Sequence, residues 1–178
     1  MILLVVDTQK GITDERLFAF EKVEKNIRLL IETARSSHVE VVFVQHDDGP
    51  GTGFSKGDEA YEIYDKFAPE VSEKVFCKSV NSSFHSSVGL LQYLREKGEN
   101  QVMIVGLQTD YCIDATIKSG FEHGFEMIVP AYTNSTFDNK YFSKEAAYHY
   151  YNELMWHERY AKCVSIEDAI RLMQSCNS

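Results

Sequence analysis

The chain opens on an unbroken apolar run, Met1-Ile-Leu-Leu-Val-Val6, which stops at Asp7. A run without polar alternation predicts a strand buried on both faces. Val23, Ile27, Leu30, Ile31 and Ala34 then recur at helical spacing, and Val39 to Val44 forms a second β-branched run. Strand, helix and strand in this order imply a parallel crossover. The stretch from His46 to Glu59 holds Gly49, Pro50, Gly51, Gly53 and Gly57, so it reads as a long loop of the kind that usually carries function. Val75 to Lys78 predicts a third strand, followed by a helix with Phe84, Val88 and Leu91 on one face and Gly98 as its stop. Gln101 to Leu107 is a fourth strand. A helix from about Tyr111 carries Ile113, Ile117 and Phe121, ends at Gly124, and leads into a fifth strand, Phe125 to Ala131. A further helix is expected from Ser143 to about Tyr160, with Cys163-Val164 as a last short strand. Ser165 and Asp168 have the S-x-x-D spacing that caps a final helix.

No repeat, low-complexity tract or linker interrupts this order. The expectation is therefore a single α/β domain over residues 1–178: a Rossmann-like doubly wound sheet of about six mostly parallel strands, flanked by helices on both faces. At 178 residues the chain is long enough for one substantial core. Its net charge of −9 argues against a nucleic-acid or anionic-membrane partner. The opening apolar run is too short for a signal-peptide core or a membrane span, so a cytoplasmic protein is expected. Cys77, Cys112, Cys163 and Cys176 form no C-x-x-C pair, which points to reduced thiols.

In an open parallel sheet, ligands bind beyond the carboxyl ends of the strands. Asp7, Lys78 and the turn leading to Cys112 all fall at such ends. A carboxylate, an ammonium and a thiol converging there would suit nucleophilic catalysis. A thiol in the first turn of a helix and near a lysine is expected to have its pKa lowered from about 8.5 toward neutrality. Taken alone, Asp7 and Lys78 also fit ordinary strand-end roles, and Cys112 fits a buried apolar side chain. Cys77 and Cys163 lie within apolar strands and read as structural, and Cys176 sits in the terminal tail.

Val5-Val-Asp7-Thr-Gln9, Cys77-Lys78 with Phe84 downstream, and Gly106-Leu-Gln-Thr-Asp-Tyr-Cys112-Ile-x-Ala-Thr116 together resemble the isochorismatase-like cysteine hydrolases, which include nicotinamidases and N-carbamoylsarcosine amidohydrolases. The resemblance runs over nearly the whole chain. It implies an Asp7-Lys78-Cys112 triad, an oxyanion hole from the backbone N–H groups of Gln108 and Cys112, and a cis peptide at Leu107-Gln108. It also implies a small-molecule substrate taken through a cysteine thioester; a homo-oligomer is expected from the aromatic cluster of Tyr148, Tyr150, Tyr151 and Trp156. Isochorismatases proper cleave a vinyl ether without a cysteine nucleophile, so Cys112 favours an amide or related C–N substrate. Gln9, Ile12, His46, Asp48, Phe54 and Tyr111 are the candidate pocket residues.

The chain also departs from these relatives. Metal-binding nicotinamidases carry Asp-x-His after the second strand and further histidines downstream; here the order is His46-Asp47-Asp48, with no histidine from Asp47 through Phe84. No metal and no other cofactor are therefore expected. His38, His85, His123, His149 and His157 read as surface or capping residues, and Tyr148, Tyr150, Tyr151 and Trp156 as helix packing or a subunit interface. An aspartyl-phosphate phosphatase would need a second Asp where Gln9 stands, and a dinucleotide site would need G-x-G-x-x-G after the first strand. The remaining rival is a catalytically vestigial oligomer of the same fold that binds a small molecule without turning it over.

Overall fold

The computed structural model describes residues 1–175, which leaves Cys176 outside the described residues. Its strands and helices alternate: β1 (Ile2–Val6), α1 (Phe20–Ser36), β2 (Glu40–His46), β3 (Lys74–Lys78), α2 (Leu90–Lys97), β4 (Gln101–Leu107), α3 (Asp114–Glu122), β5 (Glu126–Pro130), β6 (Asn134–Ser135), α4 (Lys144–His149), β7 (Lys162–Val164) and α5 (Ile166–Ser175). The sheet has seven strands in the order β3-β2-β1-β4-β5-β7, with β6 paired to β4. Every ladder is parallel.

The apolar opening run becomes the central strand. All five residues of β1 are fully buried, and their alternation feeds two separate cores. Ile2, Leu4 and Val6 pack with Leu90, Leu94, Ile113, Ile117 and Trp156 on one face. Leu3 and Val5 pack with Val23, Ile27, Leu30 and Ile31 of α1 and with Ala169 and Met173 of α5 on the other. Each such buried aliphatic side chain contributes roughly 1.5–3 kcal/mol by leaving water, which makes β1 the stiffest base available for a site.

Three expectations need correction. The helix foreseen through Phe84 and Val88 forms only from Leu90. Phe84 and Val88 are buried as the pattern required, but in irregular chain. Here Phe84 N–H donates to Ser82 Oγ, Ser83 N–H to Thr116 Oγ1 and Ser87 N–H to His85 Nδ1, so side chains take the donors a helix would use. The helix from Ser143 is likewise short: Ser143 caps it through Ala146 N–H, α4 ends at His149, and a π-helical turn spans Tyr150–Met155. The helix expected from Tyr111 begins instead as a π-helical turn, Thr109–Ile113, and becomes α-helical at Asp114. The seventh strand, β6, is a polar pair with no apolar signature. The Ser165 cap is as read, with Asp168 N–H donating to Ser165 Oγ at 3.1 Å.

The strand order reverses between β1 and β4, so a crevice opens beyond their carboxyl ends. Close approach there depends on Gly106, paired with Val6. Its φ is +127°, and a Cβ would fall 2.0 Å from the Val6 carbonyl oxygen. Gly106→Ala should therefore destabilise the fold by more than about 4 kcal/mol. Urea denaturation measures this, and a loss under 1 kcal/mol would contradict the assigned β1–β4 packing.

Candidate active site

Asp7 follows β1, and its N–H continues the ladder by donating to the Val44 carbonyl at 2.8 Å. Its backbone then turns to φ 51°, a left-handed conformation uncommon outside glycine that Asp tolerates better than most residues. Lys78 ends β3 directly beside His46, which ends β2. The lysine reaches back across β2 to the end of β1. Its ammonium donates to Asp7 Oδ2 at 2.7 Å, to Cys112 Sγ at 3.1 Å and to His46 Nδ1 at 3.0 Å. All three N–H groups of the ammonium are thereby engaged.

An ammonium cannot accept a hydrogen bond, so His46 Nδ1 is the acceptor and the ring proton resides on Nε2. That nitrogen lies 3.0 Å from Asp48 Oδ1 and donates to it. His46 is itself anchored by Gln9. The Gln9 side-chain amide donates to the His46 and Tyr61 carbonyls at 2.9 Å each and accepts the His46 N–H at 2.8 Å. Gln9 is fully buried and acts as a surrogate strand residue for β2.

Cys112 sits in the π-helical turn after β4. The Leu107-Gln108 peptide is cis. Gln108 O accepts from the N–H groups of Tyr111 and Ile113 at 3.2 and 3.1 Å, which closes the turn. A buried polar layer fixes this turn from behind. Thr109 Oγ1 donates to Asn134 Oδ1 at 2.7 Å, Asn134 donates to Asn152 Oδ1 at 2.9 Å, and Thr136 donates to Asp110. Sequence reading missed Asn134 and Asn152, because polar residues far apart in the chain carry no periodic signal.

Beside Asp7 and Cys112 lies a cavity of about 310 Å³, lined by Asp7, Ile12, His46, Asp48, Phe54, Asn81, Gln108, Tyr111 and Cys112. Five of the six candidate pocket residues are therefore brought together here, while Gln9 lies beneath. Asn81 was missed; its only sequence signal is a polar side chain three positions beyond the strand-end lysine. The other histidines lie apart from the cavity: His85 contacts Ser87, His149 pairs with Glu153, and His123 packs by its ring on Phe84. Tyr148 stacks on Tyr132 and Trp156 is buried, donating to Asp114 Oδ1, so these two aromatics serve packing.

The electrostatics differ from expectation. Burial, aided by the Asp7 carboxylate and opposed by Lys78, pushes the Cys112 thiol up to about 12. The resting group is a thiol. Burial also raises the Asp7 carboxyl above its ordinary 3.8, against the pull of Lys78. Among the described residues, Asp7 Oδ1 is a buried oxygen with no hydrogen-bond partner. It is thus a strengthened base with one free acceptor atom, close to a thiol that still holds its proton.

Donor atoms of Asp7, His46 and Cys112 lie within 4.8 Å of one another, a grouping that would suit a metal ion by distance alone. The Lys78 ammonium is within hydrogen-bond reach of all three and already supplies the cation at their centre. A divalent ion does not fit beside it.

Removing one partner of a buried ion pair costs about 3–5 kcal/mol, because the other charge is left uncompensated. Lys78→Met should therefore lose about that much stability near neutral pH, and Asp7→Asn in the same chain should recover most of it. The folded carboxyl, raised by burial, holds its proton better than the unfolded one, so acidification should shrink the Lys78→Met deficit. Denaturant titrations of both variants across pH would show this; a deficit that grows as pH falls would contradict it.

The isochorismatase domain family matches residues 1–165. A secreted isochorismatase effector of Verticillium dahliae is 28% identical over 131 residues, covering 72% of this chain and 68% of its own length. The ureidoacrylate amidohydrolase RutB of Yersinia enterocolitica is 24% identical over 157 residues, 67% of this chain and 68% of its own. The crystal structure of an isochorismatase family protein superposes with a TM-score of 0.84 at 25% identity, covering 92% of this chain and 97% of that one. With its β1-end carboxylate, β3-end lysine and cysteine turn on this sheet, the chain belongs to the isochorismatase family of hydrolases.

Proposed function

We propose that the protein hydrolyses a small amide or related C–N bond through a Cys112 thioester, with Asp7 as the general base and acid. The observation that carries this reading is the buried, unpartnered Asp7 Oδ1 beside the Cys112 thiol. That oxygen is the acceptor available to the thiol proton, in a buried setting where an unmet acceptor is costly. The relative named for ureidoacrylate amidohydrolysis supports amide chemistry.

As the substrate carbonyl approaches, Asp7 Oδ1 takes the thiol proton and Cys112 Sγ attacks the carbonyl carbon. Lys78, donating to the sulfur, stabilises the negative charge that develops on it. The carbonyl oxygen becomes an oxyanion, which the backbone N–H groups of Gln108 and Cys112 are assigned to hold. The tetrahedral adduct collapses as Asp7 returns its proton to the departing amine. A water, deprotonated by the same carboxylate, then attacks the thioester; the acid leaves and the thiol is restored.

The thiol is deprotonated only at the moment of attack. This arrangement keeps a reactive thiolate from persisting in the free enzyme. A cytoplasmic location is proposed on the free thiols of Cys77, Cys112 and Cys163, with the further support that no described helix is long and apolar enough to cross a membrane. A homo-oligomer is proposed on the exposed apolar side chains of Tyr141, Phe142, Tyr150 and Leu154, of which Phe142 and Tyr150 stack on one another. Sedimentation at assay concentration tests this, and a monomer would remove it.

Cys112→Ala should fold normally and lose about a thousandfold or more in kcat with any amide the wild type cleaves. Asp7→Asn should be comparably inactive. Because the Asp7 carboxyl is raised above 3.8, the acid limb of kcat/KM should fall at a pH above that value, activity being lost as Asp7 protonates. Ammonia release from a panel of amides, ureas and carbamoyl compounds supplies the assay, and substantial turnover by purified Cys112→Ala would overturn the mechanism.

A further inference from the structure

The charges around the cavity are uneven. Asp7 and Lys78 cancel each other beneath the floor. His46 accepts at Nδ1 and so lacks the second proton that would make it a cation, yet it holds Asp48 Oδ1 at 3.0 Å. Asp48, with its side chain about half exposed, is thus a carboxylate on the wall of the cavity that no lysine or arginine meets. Neighbouring Asp47 lies outside the lining and is committed to Ser55 Oγ and the Gly49 N–H. No lysine or arginine is among the described residues that line the cavity. Of the nearby cations, Lys10 and Arg16 are tied to Asp65 and Asp14, while Lys56 is exposed and is not among the residues that line the cavity. Phe54 and Tyr111 supply aromatic surface to the same cavity. A carboxylate combined with aromatic faces is the chemistry that recognises ammonium groups, whereas a carboxylate ligand would meet Asp48 and find no lysine or arginine side chain in the lining.

We propose that Asp48, held by His46, is a specificity-determining residue that selects for positive charge, so that the substrate is a small amide bearing an ammonium or similar cationic group and no carboxylate. The proposal rests on the amide-hydrolase reading for the word amide. Its charge preference can be tested without turnover.

Three methanethiosulfonates of similar size, carrying trimethylammonium, no charge and sulfonate, would be reacted with the purified protein. Rates at Cys112, read by peptide mass and divided by those for free mercaptoethanol, should rank cation above neutral above anion. The cation-to-anion ratio should be roughly tenfold at low ionic strength and should shrink with added salt. Asp48→Asn should lower the ratio several-fold, and Asp48→Lys should invert it. Thermal shifts with β-alaninamide, butyramide and succinamate provide a second readout that does not depend on sulfur reactivity; only the first should raise the Tm appreciably. A ratio near one, a preference for the anion, or a ratio unmoved in both Asp48 variants would overturn the proposal. If the ratio holds while no amide is cleaved, charge selection stands and the amidase reading fails. If amides are cleaved with no charge preference, the reverse is true.

Discussion

The site is organised around one ammonium. Lys78 joins the ends of three strands and the turn after β4 by donating to Asp7, His46 and Cys112 from a position closed to solvent. A buried cation is tolerated only when its donors are satisfied and its charge is met, and Asp7 is the group that meets it. The same requirement fixes the His46 tautomer, and through it the orientation of Asp48. Replacing Asp7 or Lys78 leaves the charge of the other uncompensated in a buried position. The pair proposed for catalysis is in this sense also a structural pair.

Strand order makes that convergence possible. β1 and β4 are neighbours at the point where the winding reverses, so the loops after them diverge and leave a crevice. β3 lies two strands away from β1, a gap that the long lysine side chain spans and a shorter residue would not. Gly106 lets β1 and β4 approach without a side chain between them, and the Asn134-Asn152 layer holds the cysteine turn from the opposite side. Rigidity on both sides keeps the thiol and the carboxylate in register, which is the condition for proton transfer during attack.

Burial does more here than shelter the site. It raises both the thiol and the carboxyl, so that the resting state holds a protonated sulfur beside a base with one open oxygen. The lysine and the helix turn were expected to favour a standing thiolate, but desolvation and the adjacent carboxylate outweigh them. A dry pocket penalises every added charge, and the ion pair already present leaves little to stabilise a third.

The sequence by itself determined the α/β alternation and the central buried strand, and it singled out Asp7, Lys78 and Cys112, the first and last of which the fold brings within hydrogen-bond reach of the Lys78 ammonium. The first two follow from periodicity, since a strand buried on both faces must be apolar throughout and a crossover helix must be apolar along one stripe. Asp7 and Lys78 were legible because each stands at a strand end, and Cys112 because its turn follows one, so that motif and topology coincide. What the tertiary structure alone decided was the use of polar residues. Gln9 could equally have faced the pocket, yet it is spent on the backbone of β2. Asn81, Asn134 and Asn152 took their places through contacts between segments remote in the chain, and the serines before α2 took backbone donors that a helix would have used. Apolar patterning constrains which face is buried, because burial depends on composition along one element. Hydrogen-bond partners and protonation depend on what the rest of the chain brings within about 3 Å, and no single segment carries that information.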